Sequence, residues 1–149
     1  MRIGINARNL LAKKLEGFGQ YTLEITKRIC EQNPQHEFIL FFDRPYDPQF
    51  IFSDNVKPVV ISPPTRHPIL YIIWFEWRLK NALKKEKIDV FWSPDGFSCL
   101  SSLIPHIITI HDLNFEHNPK DLPWIVSRYF RFFFPKFARK AKKIITVSE

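Results

Sequence analysis

Cysteine is scarce in this sequence, since Cys30 and Cys99 are the only two among 149 residues. Two thiols so far apart exclude a disulfide framework and a zinc cluster built on cysteine, so free thiols are expected. Long apolar runs are also lacking, because the longest, residues 69–75, is far shorter than the roughly 20 residues that cross a bilayer. No secretory signal precedes the first apolar segment, residues 2–6. These absences predict a cytoplasmic protein.

Acidic residues are absent from residues 122–148, which contain seven Lys or Arg residues. The net charge of the chain is +7, so this segment accounts for the whole excess of positive charge. One apolar stripe within it has the spacing of a helix that faces the core: Val126, Phe130, Phe133 and Phe137. The basic residues on a second face are Arg128, Arg131, Arg139 and Lys142. Phe132 and Phe134 lie on neither face, and Pro135 predicts a break or kink in the helix.

Basic residues beside exposed aromatic rings are typical of surfaces that bind anionic lipid or single-stranded nucleic acid. A basic face that contacts only solvent is the commoner outcome. Peripheral contact of residues 124–143 with the inner face of an anionic membrane is therefore a hypothesis that stands beside the solvated face.

Six short segments rich in β-branched or aromatic residues predict strands: residues 2–6, 37–42, 56–62, 88–93, 106–111 and 143–148. Helical spacing relates Tyr21, Ile25 and Ile29, and also Phe75, Leu79 and Leu83. Apolar strands separated by amphipathic helices indicate an α/β fold, a doubly wound and mostly parallel sheet with helices on both faces. Because the chain ends at the carboxyl edge of a strand, we expect residues 1–149 to be one domain of a longer protein.

His111 and Asp112 follow the fifth predicted strand, at the edge where open α/β sheets bind ligands. A histidine there can form hydrogen bonds with a sugar hydroxyl or a phosphate, and the neighbouring carboxylate can orient a partner or fix the loop. The alternative is structural: His111 satisfies a loop carbonyl, and Asp112 caps the turn. His106, His111 and His117 lie on different predicted elements, so we predict no metal site.

Residues 15–21, LEGFGQY, follow the first strand and open the first predicted helix. Gly17 and Gly19 allow close approach of a ligand, and the helix N-terminus offers N–H groups to a phosphate. The pattern is not a dinucleotide-binding motif, because Thr22 stands at the third glycine position. A phosphate-facing loop and a flexible glycine turn both fit it.

Five segments, in order along the chain, resemble the N-terminal domain of family 4 glycosyltransferases of the GT-B fold. They are RIGINARNL (2–10), GFGQYTLEI (17–25), WFEWRLKNALKKEKIDVFWSPDG (74–96), ITIHDLNFEHNPKDLP (108–123) and FFFPKFARKAKKIITVSE (132–149). Within that family the chain looks most like bacterial mannosyltransferase-type enzymes. The resemblance implies a Rossmann-like, acceptor-side domain, with the C-terminal donor-binding domain absent from residues 1–149.

The full enzyme implied by this resemblance transfers a mannose-like sugar from a nucleotide sugar, such as GDP-mannose, to an acceptor hydroxyl with retention. Its product would enter a polysaccharide or a glycolipid. The resemblance implies no cofactor and no nucleic-acid partner, and the domain alone would be inactive.

The resemblance also implies roles for particular residues. His111 would contact the transferred sugar as a catalytic residue, supported by Asp112. The residues that would line the cleft near the donor diphosphate are Gly17, Phe18, Gly19 and Gln20. The candidates on the acceptor side are Arg8, Asp95 and Gly96. Donor and acceptor identities stay open, because Asn6 stands where Asp is frequent and Gln20 where Arg is frequent.

Two other functions fit the residues. A complete small α/β domain could use its basic surface as a non-catalytic module that binds a phosphate-bearing ligand or a partner. A nucleic-acid binder could use residues 122–148, and its binding would weaken steeply as salt increases.

Overall fold

Six strands form one parallel sheet in the computed structural model, which describes residues 1–147. They are β1 (Arg2–Asn6), β2 (Glu37–Phe42), β3 (Val56–Val60), β4 (Val90–Ser93), β5 (His106–Ile110) and β6 (Lys143–Thr146). The order is β3-β2-β1-β4-β5-β6, and every neighbouring pair is parallel. Each strand coincides with a predicted one, although Ser148, predicted to end β6, lies outside the described residues. The order reverses between β1 and β4, and open α/β sheets bind ligands at such a switch point.

Helices lie in three of the five connections between the strands, after β1, β3 and β5. They are α1 (Gly17–Gln32), α2 (Pro68–Ile72), α3 (Lys80–Lys85), α4 (Asn114–His117) and α5 (Trp124–Lys140). A π-helical segment, Ile73–Leu79, joins α2 to α3 without a break. Short 3-10 turns lie at Pro48–Phe50 and Pro119–Asp121.

The side chains of β2 show why helices cover both faces of the sheet. Successive side chains of a strand point to opposite faces. Phe38 and Leu40 enter the core cluster on the α1 side, beside Cys30, whereas Ile39 enters the other cluster, which contains Phe137 of α5. Burial of each large apolar side chain contributes roughly 1.5–3 kcal/mol to the stability of the fold. The side chains of β2 therefore stabilise the helix packing on both faces of the sheet. The predicted doubly wound α/β fold is confirmed.

The predicted apolar stripes of the first two helical regions pack as expected. Phe75, Leu79 and Leu83 are buried. Tyr21, Ile25 and Ile29 of α1 are partly buried against the core, while the most deeply buried side of α1 carries Gly19, Thr22, Thr26 and Cys30. The π-helical segment was not predicted, because a four-residue spacing fits the i→i+4 and i→i+5 patterns about equally well.

Helix α5 packs Phe130, Phe133 and Phe137 of the predicted apolar stripe against the core, whereas Val126 is only partly buried and lies outside both core clusters. The helix contradicts two other predictions. Phe134, predicted on neither face, packs against the core, with its ring centroid 5.5 Å from that of Phe97 and 4.9 Å from that of Phe115. The helix also continues through Pro135 to Lys140, so of the predicted break or kink the break is wrong. Packing of Phe134 and Phe137 on either side of the proline compensates for its missing N–H.

Candidate active site

The carboxyl ends of β1, β2 and β4 surround a small cavity at the switch point of the sheet. Its volume is about 180 Å³. The residues just past these strands that line it are Arg8, Asn9, Asp43, Arg44, Asp95 and Phe97. Phe18, Thr65, Tyr71 and Phe130 form further parts of the wall. The fold therefore brings together Arg8, Asp95 and Phe18, three of the predicted site residues.

Arg8 is buried, and other protein groups occupy its guanidinium. Its Nη2 donates to Asp95 Oδ2 at 2.6 Å, and its Nη1 donates to Thr65 Oγ1 at 2.6 Å. The guanidinium carbon also lies 4.7 Å from the ring centroids of Phe75 and Phe97, which attract a cation. A buried ion pair needs such contacts to offset its lost hydration. Arg8 thus joins the ends of β1 and β4, and its contact with an acceptor stays a prediction.

Asn6 extends this network in a way that only an amide can. Its Nδ2 donates to Ser93 Oγ at 2.9 Å and to Asp95 Oδ1 at 2.8 Å, while its Oδ1 accepts from Arg8 Nε at 3.2 Å. A carboxylate at position 6 would have no donor and would place a second negative charge beside Asp95. The departure from the usual Asp therefore matches the local hydrogen bonding.

Asp43 and Arg44 bring opposite charges to the same cavity. Arg44 donates to both carboxylate oxygens of Asp43 at 2.7 and 2.9 Å, and the Thr65 N–H and hydroxyl donate to Asp43 Oδ2 at 2.7 and 2.6 Å. Burial opposes ionisation of Asp43, but these hydrogen bonds outweigh it and hold its pKa below the ordinary value. With Arg8 and Asp95, the wall carries two cations and two carboxylates, whose charges balance.

His111 lies beside this cavity, at the end of β5. Its Nε2–H donates to the carbonyl oxygen of Pro94 at 2.7 Å, because a carbonyl can only accept. The imidazole packs against Phe18 and Tyr21, with ring centroids 4.5 and 4.7 Å away. This bond leaves Nδ1 as the nitrogen with a lone pair when the ring is neutral. Nε2 thus satisfies a loop carbonyl, as the structural alternative predicted, while Nδ1 can still accept a hydrogen bond from a ligand.

Asp112 is exposed and acts locally in the loop after β5. Its Oδ1 accepts a hydrogen bond from the N–H of Asn114 at 2.9 Å, at the start of α4. This contact caps the turn, as the structural alternative for Asp112 predicted. The predicted support of His111 by Asp112 stays a prediction.

The two glycines of the LEGFGQY segment lie in the first turn of α1 and not in a loop before it. A Cβ on Gly19 would lie 2.7 Å from the carbonyl oxygen of Asn9, whereas one on Gly17 would meet nothing within 4 Å. Glu16, the N-cap, makes no side-chain hydrogen bond to the helix. Gly19 is therefore required by packing against the backbone, and the first turn keeps N–H groups that no side chain caps.

Gly96, predicted on the acceptor side, has a conformational reason to be glycine. Its φ is +81°, and a Cβ there would lie 2.9 Å from Cε1 of Phe134. Side chains other than glycine rarely adopt this left-handed conformation. Gly96 thus lets α5 approach the loop after β4, and its contact with an acceptor stays a prediction.

Comparison with known proteins shows the family of the chain. The family model for Glycosyltransferase Family 4 matches residues 15–149. The chain belongs to glycosyltransferase family 4. A comparison with curated proteins gives no match. Membership in the family makes this a glycosyltransferase-type domain, and it implies binding of nucleotide sugars and acceptors in general.

Several wall residues of the family 4 domain escaped sequence reasoning. Asp43 and Arg44 directly follow a predicted strand, so the rule that ligands gather at carboxyl ends could have found them. Thr65 and Tyr71 lie in and beyond a proline-rich loop, and only the folded chain brings them to the cavity. No local pattern marks such residues.

Within residues 1–147, no three His, Cys, Asp or Glu side chains are grouped so that they could hold a metal ion. Both cysteines are free and buried, and burial, with Glu31 nearby, raises the pKa of Cys30 to about 12. None of the helices described for these residues has the length and apolar character needed to span a bilayer.

Proposed function

We propose that this family 4 domain forms the acceptor side of a glycosyltransferase that moves a sugar from a nucleotide sugar to an acceptor hydroxyl. The observation that carries the proposal is the small, charge-balanced cavity at the switch point, with His111 and the first turn of α1 beside it. Family membership supports the reaction class, and the position of the cavity at the switch point supports its assignment as the acceptor site.

The cavity has the chemistry of a site for one sugar ring. Its volume of about 180 Å³ is below the roughly 300–1,000 Å³ typical of drug-sized ligands. Balanced charges favour a neutral ligand, and the Tyr71 hydroxyl and the partly exposed guanidinium of Arg44 can bond sugar hydroxyls. The rings of Phe18, Tyr71, Phe97 and Phe130 offer apolar surface to the ring carbons. We assign an acceptor sugar to this cavity.

The donor would lie across His111 and the first turn of α1. Uncapped N–H groups at a helix N-terminus favour a diphosphate, so Gly17, Phe18, Gly19 and Gln20 stay the proposed donor residues. Nδ1 of His111 would accept a hydrogen bond from a hydroxyl of the transferred sugar and hold the sugar in line with the acceptor hydroxyl. His111 would therefore position the donor sugar and not attack it.

Finer features of the proposal come from the resemblance alone. They are a mannose-like sugar, GDP-mannose as the donor, retention at the anomeric carbon, and a polysaccharide or glycolipid product. A C-terminal domain in the same protein would bind the nucleotide. The proposed contact of residues 124–143 with an anionic membrane rests instead on their basic and aromatic side chains. No cofactor is needed for this reaction.

Sugar binding by the isotope-labelled chain tests the proposal through amide chemical shifts. We expect methyl mannoside to shift the amides of Thr65, Asp95 and Phe97, and GDP-mannose to shift those of Phe18 and Gly19 as well. Tyr71→Phe removes a hydroxyl from a residue of the cavity wall and should weaken mannoside binding about two- to tenfold.

Tyr46→Phe is the matched control, because Tyr46 lies outside this cavity. Equal effects of the two variants, or shifts confined to other regions, would contradict the assignment of the cavity. If inorganic phosphate alone produced the same amide shifts as the sugars, the result would favour a non-catalytic module that binds phosphate.

A further inference from the structure

A wide groove separates α2 from the N-terminal half of α5, on the outside of the domain. Its volume is about 1120 Å³. Exposed apolar side chains line it from both helices: Ile69 and Ile72 from α2, and Trp124, Ile125 and Phe132 from α5. Together with Arg128 and Arg131, these residues are called the docking surface.

Cations adjoin the exposed rings of the docking surface. The guanidinium of Arg128 lies 4.9 Å from the ring centroid of Trp124, and Nζ of Lys136 lies 3.6 Å from that of Phe132. Lys120 and Arg131 also line the groove. Among the described residues that line it, the single acid is Glu116, whose Oε2 lies 3.5 Å from Arg131 Nε. The surface is therefore apolar and strongly cationic.

This combination points to an anionic lipid surface more than to other partners. Tryptophan and phenylalanine insert at the level of lipid headgroups, and Arg and Lys bind anionic headgroups while their stems stay against apolar groups. The isoleucines on both helices add aliphatic area, which lipid chains cover but which gives nucleic-acid bases no stacking face. An exposed apolar patch of this kind marks an interaction site.

We propose that the docking surface binds the surface of an anionic phospholipid bilayer. The inference deepens the membrane contact of the proposed function, because α2 joins α5 as a second wall and the lipid class is specified. Tyr129 lines the groove and Tyr71 lines the sugar cavity, and their ring centroids are 5.4 Å apart. The docking surface is thus separated from the cavity by the Tyr129–Tyr71 pair, which would bring an acceptor carried by a lipid close to the cavity.

Vesicle sedimentation of the full chain tests the inference. Binding should be at least tenfold stronger to vesicles of phosphatidylcholine with phosphatidylglycerol than to phosphatidylcholine alone, and it should weaken as salt increases. Arg128→Glu combined with Arg131→Glu should reduce binding at least tenfold. Lys84→Glu combined with Lys85→Glu makes the same charge change on exposed residues of α3 and should reduce it far less. Unfolding midpoints would show that both variants fold.

Tryptophan fluorescence distinguishes the docking surface from a general attraction of positive charge. Trp124 and Trp77 are similarly exposed, at 71% and 67%, but only Trp124 lines the groove. Anionic vesicles should shift the emission to the blue in the parent and in Trp77→Phe, and the shift should be lost in Trp124→Phe. Equal binding to neutral vesicles, equal effects of the two charge reversals, or no binding by the parent would overturn the inference. Because no sugar takes part, these outcomes are independent of sugar binding in the cavity.

Discussion

At the scale of single residues, His106 combines deep burial with an unsatisfied ring nitrogen. Its Nδ1 is 2.8 Å from Ser98 Oγ, and its Nε2 has no hydrogen-bond partner among the described residues. Burial, with a smaller contribution from the charge of Lys140, lowers its pKa to about 4. The ring is therefore neutral in the folded protein at neutral pH.

This neutral histidine predicts loss of stability in mild acid. The unfolded chain takes up a proton below pH 6.5, but the folded ring resists protonation until about pH 4, so stability falls as pH decreases between these values. The free energy of unfolding should drop by about 3 kcal/mol from this group across that window. Urea unfolding at several pH values, compared for the parent and His106→Gln, measures the difference.

His36→Gln serves as the control for the acid effect, because His36 is only partly buried. The control should keep the steep pH dependence of the parent, whereas His106→Gln should be flatter by one proton. Parallel curves for the parent and His106→Gln would rule out this role of His106.

The site shows which single residues a sequence can identify and which it cannot. Arg8 and Asp95 were recognised separately, each after its own strand, but their ion pair joins residues 87 positions apart. Nothing local in the sequence reveals that these two side chains form an ion pair with each other. The same holds for Thr65, which links Arg8 to Asp43 only in the folded chain.

At the scale of elements, the first turn of α1 distinguishes two glycines that look alike in the sequence. Gly19→Ala would bring a Cβ within 2.7 Å of the Asn9 carbonyl oxygen, so a backbone segment would have to move. Gly17→Ala meets open space and restricts the unfolded chain. We expect Gly17→Ala to stabilise the domain by roughly 0.4–1 kcal/mol and Gly19→Ala to destabilise it by about 1–3 kcal/mol.

Urea unfolding of the two alanine variants measures both effects, and each variant is the control for the other. If both substitutions changed stability equally, the glycines would instead behave as a flexible turn. Sugar-nucleotide binding by Gly17→Ala then shows whether this open position approaches the donor.

The inner strands β1, β2, β4 and β5 could be predicted because each is a largely buried run of apolar residues, which is visible without knowledge of distant parts of the chain. The edge strand β6 is exposed along its whole length, so only its β-branched residues indicated it. The continuity of α5 through Pro135 could not be predicted, because it depends on the packing of Phe134 and Phe137 in the folded core. The π-helical segment escaped for a related reason, since Glu76 within it accepts hydrogen bonds from the backbone N–H groups of Leu100 and Ser101, far along the chain.

At the scale of the whole molecule, α5 serves two surfaces. Phe130 lines the cavity at the switch point, while Phe132 and Arg128 contribute to the docking surface on the outside. A single helix therefore connects the proposed sugar site with the proposed membrane contact. Five of the seven basic residues of segment 122–148 lie on this helix, for which both roles are proposed: Arg128, Arg131, Lys136, Arg139 and Lys140.

The most direct test of the central claim is glycosyl transfer by the product of the full coding region. Release of nucleoside diphosphate and glycosylation of an acceptor are measured for the parent, His111→Ala and the exposed control His117→Ala. The account predicts transfer by the parent, a fall in kcat of at least about tenfold in His111→Ala, equal to about 1.4 kcal/mol, and near-parent turnover in His117→Ala. Normal turnover by a correctly folded His111→Ala enzyme would contradict it.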